Sequence, residues 1–314
     1  SLFTAIFITR MLVENHISKS KLLNFSTSLT KNWLSNIGIS FLIKRRISYV
    51  VSGTFIIIGL SSLFINGLNQ GVDFVGGRSY VVRFEQPVSQ EKIQSNLIKV
   101  LGNAEVKTFG SDNQLKITTN YKVDTDSSDI DDEINNILYT DLIEFMPENI
   151  AYEDFVVNGD ENKQAGIMSS IKVGPTIADD IKKNSFYAVF GSLIIVFLYI
   201  LLRFKNWQFS LGAVSAVFHD VLVVLGIFSL TYSFMPFNME INQAFIAAVL
   251  TVIGYSLNDT VVVFDRIREY RNINTSWELP RVVDSALNST LSRTLNTSFT
   301  TLVVLISIFV FGGE

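Results

Sequence analysis

Cysteine is absent from the 314-residue chain. That excludes disulfide scaffolds, thiolate zinc sites and cysteine nucleophiles. Histidine occurs only twice, as His16 and His219, too seldom for a histidine-rich metal site. No metal or other cofactor is therefore expected. Charge is scarce too: 17% of residues are Asp, Glu, Lys or Arg, against about 25% in an average soluble domain. This composition excludes an ordinary soluble protein. It also excludes an acidic disordered chain, because 48% of residues are apolar. No Gly-x-Ser-x-Gly, His-Glu-x-x-His or Gly-x-Gly-x-x-Gly occurs, so no hydrolase, nucleotidase or dehydrogenase site is expected.

The net charge of −4 hides a division. Between Gly67 and Asp180 there are 20 acidic and 9 basic residues; the rest of the chain has 9 acidic and 16 basic ones. The middle reads as an acidic soluble unit, and the flanks as basic and apolar. No concentrated positive footprint for nucleic acid is present.

A spanning helix needs about 20 mostly apolar residues. Five stretches meet this, near 47–66, 185–202, 208–232, 241–263 and 293–312. Any one alone would equally suit a buried soluble helix; five together point to a polytopic membrane protein in a lipid bilayer. Ser1–Thr9 is apolar but too short to span, and no signal-peptide pattern is present. The segment 1–13 reads as the end of a further span, and both ends as cuts through a longer protein.

Lys and Arg in short loops set orientation. Arg10, Lys19, Lys21, Lys31 and Lys44–Arg46 lie between residues 10 and 46, where a linker is expected over 14–46. Arg203 and Lys205 mark the second basic loop, and Arg266, Arg268, Arg271 and Arg281 the third, spanning 265–291. All three are expected to be cytoplasmic. The acidic domain, 67–183, then lies on the far side of the membrane, and 185–312 forms a four-span bundle.

Within the acidic domain, strands are expected at Ser79–Glu85, Glu105–Phe109, Gln114–Thr119, Tyr152–Val157 and Ile167–Val173. Ile93, Leu97, Val100 and Leu101 have the spacing of one helix face, which predicts a helix over Gln90–Leu101. Ile130, Ile134, Ile137, Leu138 and Leu142 predict a second helix. The order is that of a βαββαβ, ferredoxin-like α+β domain.

Ionisable groups inside spans cost on the order of 2.5–3.5 kcal/mol each on insertion scales. Asp259 in the fourth span, His219 and Asp220 midway along the third, and Arg293 at the start of the fifth are therefore candidate functional residues. Asp259 is too short to snorkel and needs a partner, a proton or a cavity. Arg293 has two readings, an interfacial Arg or a partner of Asp259. At about 4 Å such a pair attracts by roughly 4 kcal/mol at an effective dielectric near 20, comparable with the insertion cost, so protonation can make or break it. His219 is either a proton carrier or a neutral, hydrogen-bonded core residue. Asp265 and Arg266 are expected to end the fourth helix. The glycines of Gly71-Val72-Asp73-Phe74-Val75-Gly76-Gly77 lack the Lys-Ser/Thr pair of a phosphate loop; a tight turn from membrane to strand is the local reading.

Several of these motifs together resemble the SecF family of bacterial protein-export membrane proteins. Gly71–Gly77, with Asp73, Gly76 and Gly77, is similar to the signature after its first span. Val173-Gly174-Pro175 is similar to the segment before its second. Ala247–Glu269, AAVLTVIGYSLNDTVVVFDRIRE, is the most specific match, and Leu291–Ser298 resembles the start of the fifth span. Ser1–Arg10 resembles the end of the last span of SecD, the partner subunit. The resemblance implies part of a fused SecD–SecF chain of the resistance–nodulation–division superfamily. It implies a non-enzymatic accessory subunit of the Sec translocase in the cytoplasmic membrane. Such a subunit uses the proton gradient to help pull unfolded preproteins through, alongside SecY, SecE and SecG. Asp259 and Arg293 match the family's proton-path charges. A proton-driven small-molecule or lipid transporter on the same scaffold is the alternative.

Overall fold

The computed structural model describes residues 3–19, 38–125, 128–148, 150–157 and 163–311. Lys21, Lys31 and the C-terminal Gly312, Gly313 and Glu314 lie outside the described residues. The chain divides into two compact units, residues 43–265 with 301–314, and residues 1–42 with 266–300.

The larger unit holds most of the membrane-length helices. Among the described residues, five helices are long and apolar enough to cross a bilayer: α2 (Phe41–Ile65), α7 (Pro175–Phe204), α8 (Trp207–Thr231), α9 (Gln243–Ile273) and α10 (Leu279–Phe311). They run past the expected spans at their polar ends. Lys44, Arg45 and Arg46 lie within α2 rather than in a linker before it. Helix geometry continues wherever backbone bonds can be made, whereas hydropathy marks only the apolar centre. Asp265 and Arg266 do not end the fourth helix, which runs on to Ile273. Val196, Ile200, Ala213, Val217, Val221, Val249 and Ile253 make a common apolar core of α7, α8 and α9.

Between α2 and α7 lies a small α+β domain. It begins with the four-residue helix α3 (Val72–Val75) and continues through β1 (Gly77–Arg83), α4 (Gln90–Leu101), β2 (Glu105–Phe109), β3 (Ser111–Thr119), α5 (Ser128–Leu142), α6 (Tyr152–Val156) and β4 (Gly166–Val173). The strands pair antiparallel in the order β2-β3-β1-β4. Tyr80 and Val82 of β1, with Phe84 beyond it, share a core with Ile93 and Leu97 of α4, Leu115 and Ile117 of β3 and Ile134 and Leu138 of α5. Ser89 caps α4, accepting the Lys92 amide at 3.4 Å. β3 starts earlier than expected, so the β2–β3 reversal closes around Gly110 at φ 68°.

Tyr152–Val157 is not a strand. Tyr152–Val156 forms α6, with Phe155 fully buried. Its β-favouring composition is overridden by packing: the Tyr139 ring on α5 meets Tyr152 edge-on at 5.4 Å and Phe155 at 5.5 Å. Residues three apart share one face on a helix, whereas on a strand they point to opposite faces.

The smaller unit starts with a π-helical turn, Thr4–Ile8, that continues into α1 (Thr9–Ser18). Asn288 on α10 binds both backbone groups of Ile39, accepting from its amide at 3.0 Å and donating to its carbonyl at 2.8 Å. Asp284 accepts the Leu42 amide at 2.9 Å. Trp277 stacks under the Arg281 guanidinium at 4.3 Å.

Candidate functional site

The polar groups inside the larger unit's helices form a continuous chain. Ser52 on α2 places its Oγ 2.6 Å from His219 Nε2 on α8. His219 Nδ1 lies 3.0 Å from Asp220 Oδ1. The Ser256 hydroxyl on α9 donates to Asp220 Oδ2 at 2.6 Å. Three helices are thus joined through one histidine and one carboxylate. His219 lies twelve residues into α8, about 18 Å from its end at 1.5 Å per residue, well inside a bilayer core about 30 Å thick. The His219 and Asp220 side chains keep 37% and 41% of their surface open within the protein. A charged group at that depth faces a cavity or another span rather than lipid.

Asp259 stands one turn past Ser256 on α9, half-buried. Within the larger unit its side chain makes no hydrogen bond or ion pair among the described residues. Arg293 is exposed on α10 in the smaller unit, where its carbonyl accepts the Thr297 hydroxyl at 3.0 Å. Asp265 pairs with Arg203 at 3.2 Å, tying α9 to the end of α7.

The Gly71–Gly77 segment is a joint. Gly71 donates its amide to the Ile241 carbonyl at 3.0 Å, and the Ile241 amide donates to Asn69 at 2.7 Å. Asp73 Oδ2 accepts the Gln243 amide at 2.9 Å, so a carboxylate meets the electropositive first turn of α9. Gly76 and Gly77 take φ values of 74° and 134°. A Cβ on Gly76 would lie 3.3 Å from the Pro175 Cα. Gly174 is the N-cap of α7 and Pro175 its first residue, where a missing amide proton costs nothing. Ala178, one turn on, is buried with Val72 and Val173.

A second set of polar contacts fixes the sheet to the α8–α9 turn. Lys116 on β3 forms a buried ion pair with Glu240, and the Thr118 hydroxyl donates to Glu240 at 2.9 Å. The Thr108 amide donates to the Pro236 carbonyl at 3.3 Å. Glu105 accepts from the Asn69 amide group at 2.8 Å. Burial pushes the Glu105 carboxyl up and nearby Glu240 adds to this, with Asn69, Lys107 and Lys116 opposing. On the domain's other side, Asp131 binds Arg78 and, at 3.0 Å, Lys172. Burial alone would raise its carboxyl; the two cations outweigh that and hold it below the usual range.

The sequence marked His219, Asp220 and Asp259 as ionisable groups in apolar stretches. It missed Ser52, Ser256, Lys116 and Glu240. The two serines carried one signal, a small hydroxyl residue at mid-span. The ion pair carried none, since its partners are 124 positions apart.

Five membrane-length helices, one inserted α+β domain and a polar chain at mid-span define a multi-pass membrane protein. Residues 155–314 match the family described as protein export membrane protein SecD/SecF, C-terminal, and residues 61–88 match the SecD/SecF GG motif. The protein translocase subunit SecF of Rhodothermus marinus is 41% identical over 280 residues, covering 89% of this chain and 84% of its own. The protein translocase subunit SecDF of Brucella abortus is 31% identical over 93% of this chain and 37% of its own. The crystal structure of SecDF, a translocon-associated membrane protein from Thermus thermophilus, superposes with a TM-score of 0.77 at 26% identity. That likeness covers 99% of this chain, which spans 38% of the SecDF chain. The chain belongs to the SecD/SecF family of protein-export membrane proteins, and its likeness to single-subunit relatives is to SecF.

Proposed function

We propose that this chain is the SecF part of an accessory unit of the Sec protein translocase, one that uses the proton gradient to help draw unfolded preproteins across the cytoplasmic membrane. The observation that carries this is the pairing of extended likeness to relatives named as translocase subunits with ionisable groups at mid-span. SecD is the expected partner, fused or separate. SecY, SecE and SecG form the channel it serves. The ferredoxin-like reading of the inserted domain is supported by the antiparallel order β2-β3-β1-β4. Its extracytoplasmic placement is supported by Arg203 near the C-terminal end of α7 and by Arg266, Arg268 and Arg271 near that of α9, each away from the helix end that follows the inserted domain or its joint.

Asp259, Arg293, His219 and Asp220 are the proposed proton-path residues. Protonation of Asp259 neutralises its charge within the spans. One charge crossing 100 mV supplies about 2.3 kcal/mol, enough to bias a two-state movement of that size. The Gly71–Gly77 joint and the Gly174-Pro175 cap then pass helix movement to the inserted domain.

A photo-activated cross-linker at Ile171, exposed on β4, tests the substrate. In the full-length protein, with the translocon engaged on a stalled preprotein, an adduct with that preprotein is expected. Adducts that never include it overturn the preprotein reading and favour a small-molecule or lipid substrate.

A further inference from the structure

We propose that Ser52, His219, Asp220 and Ser256 form a proton relay running sideways through the membrane segment from α9 to α2. The proposal deepens the proton-driven reading above and rests on it. Three links carry it, at 2.6, 3.0 and 2.6 Å, all within one compact unit. Each group has the donor or acceptor that its neighbour lacks. A carboxylate only accepts, so Asp220 takes one bond from the Ser256 hydroxyl and the other from His219 Nδ1–H. That fixes the tautomer and leaves Nε2 facing Ser52. In the neutral ring Nε2 accepts the Ser52 hydroxyl proton. In the imidazolium Nε2–H donates to Ser52 Oγ. Both protonation states therefore keep every link. For transfer from α9 to α2, Asp220 takes the Ser256 hydroxyl proton while Ser256 is reprotonated from its far side. The protonated Asp220 then gives its proton to Nδ1 of the Nε2–H tautomer as Nε2–H passes its own to Ser52 Oγ and Ser52 releases one onward, and tautomer exchange of the ring resets the chain.

Position supports the direction. Ser256 lies one turn from Asp259 on α9, so the chain starts beside the proposed carrier. It ends on α2, the helix that leads into the Gly71–Gly77 joint. Beyond Ser52, α2 is fixed to α8: the Ser62 and Ser229 hydroxyls are 2.8 Å apart, and Ser229 also donates to the Gly67 carbonyl at 2.7 Å. The α2–α8 pair thus behaves as one body that senses charge at His219. The elements packed against the relay carry Tyr49 on α2, Tyr187 and Tyr199 on α7, and Tyr255 and Asp259 on α9 as further titratable groups. At the polar helix ends stand Lys44, Arg45 and Arg46 on α2, Arg203 on α7, and Asp265 on α9. The partial openness of His219 and Asp220 gives a proton access from a water-filled cavity or a neighbouring span. The same residue trio is familiar from hydrolases. Here Ser52 sits inside a regular helix, whose backbone amides are bonded along the helix and leave no donors for an oxyanion.

The test is proton flux in liposomes holding the purified full-length protein, with an imposed membrane potential and a trapped pH dye. Losing a positioned proton-transfer group costs on the order of 10²-fold or more. His219→Gln should lower flux by about that factor. Ser52→Ala and Ser256→Ala should lower it by roughly tenfold or more, with Ser52→Thr and Ser256→Thr restoring it. Wild-type flux in both alanine variants, with flux lost in Asp259→Asn, overturns the relay and leaves the proton-driven reading standing. Loss in the threonine variants as well assigns the serines to packing and also overturns the relay. No flux above protein-free liposomes in the wild type overturns both. Should His219→Gln fail to insert, the serine pairs decide.

Discussion

Gly59 on α2 and Gly226 on α8 meet backbone to backbone. A Cβ on Gly226 would stand 2.7 Å from the Gly59 Cα, and one on Gly59 would stand 3.0 Å from the Gly226 Cα. No flexible side chain lies there to give way, so the helices themselves must part. Gly226→Val is expected to cost about 1–3 kcal/mol, the range for overpacking. It should also break the Ser52–His219 contact on the same two helices. Gly53→Ala, inside α2 where a Cβ meets nothing within 4 Å, should not lower the thermal midpoint in detergent, because alanine favours a helix interior. Equal midpoints for the two variants would remove the close approach from the account.

Glu240 is 7% exposed and holds both Lys116 and Thr118. Removing one partner of a buried pair costs about 3–5 kcal/mol, because the other charge is left desolvated. Glu240→Ala should therefore free the domain from the α8–α9 turn. Amide hydrogen exchange at residues 236–242 should speed up, while exchange in α4 stays slow. Glu240→Gln keeps an acceptor for Thr118 and should show a smaller effect. Unchanged exchange in Glu240→Ala would mean that the backbone contacts alone hold the joint.

The same joint has a pH dependence whose sign follows from Glu105. Its carboxyl is raised in the folded protein, so the folded state holds the proton more tightly than the unfolded one. Stability falls as pH rises from the ordinary carboxylate value through the raised one. Asp131 has the opposite sign. Held low by Arg78 and Lys172, it stabilises above the ordinary value and loses that contribution as pH falls through its own. Glu105→Gln should flatten the slope on the neutral side, and Asp131→Asn on the acidic side. Thermal midpoints across pH check both, and a swapped pattern would contradict the assignment.

The two glycine motifs, alike as sequence signatures, differ physically. Gly77 sits at φ 134° with a Cβ position 2.6 Å from the Thr119 carbonyl oxygen. Gly174 has an ordinary φ of −72° and open space around it. Gly77→Ala is expected to cost at least about 1–3 kcal/mol from backbone strain, and Gly174→Ala less than that. Expression and thermal midpoints of the pair, measured side by side, decide the point.

Local patterns read well from the sequence. The helix over Gln90–Leu101 and the strand over Glu105–Phe109 appear with the expected limits, because apolar spacing, a serine cap and a following glycine all agree. Five apolar stretches became five membrane-length helices. Tyr152–Val157 failed because a six-residue segment has too little periodicity to outvote its composition, and packing against Tyr139 decided the matter. Asp73 was legible as part of a motif but not as the cap of a helix 170 positions away. His219 and Asp220 stood out by their cost in an apolar helix. Ser52 and Ser256 did not, since a serine can satisfy its hydroxyl within its own helix and so costs little there.

The proposed coupling of the proton gradient to export turns on the charge at Asp259. Its most direct measurement is secretion of a reporter preprotein by cells whose only SecD–SecF is the full-length protein, with and without a protonophore. Asp259→Asn is expected to assemble normally, to export slowly, and no longer to respond to the protonophore through this protein. Wild-type export by Asp259→Asn, still sensitive to the gradient in the same way, would contradict it.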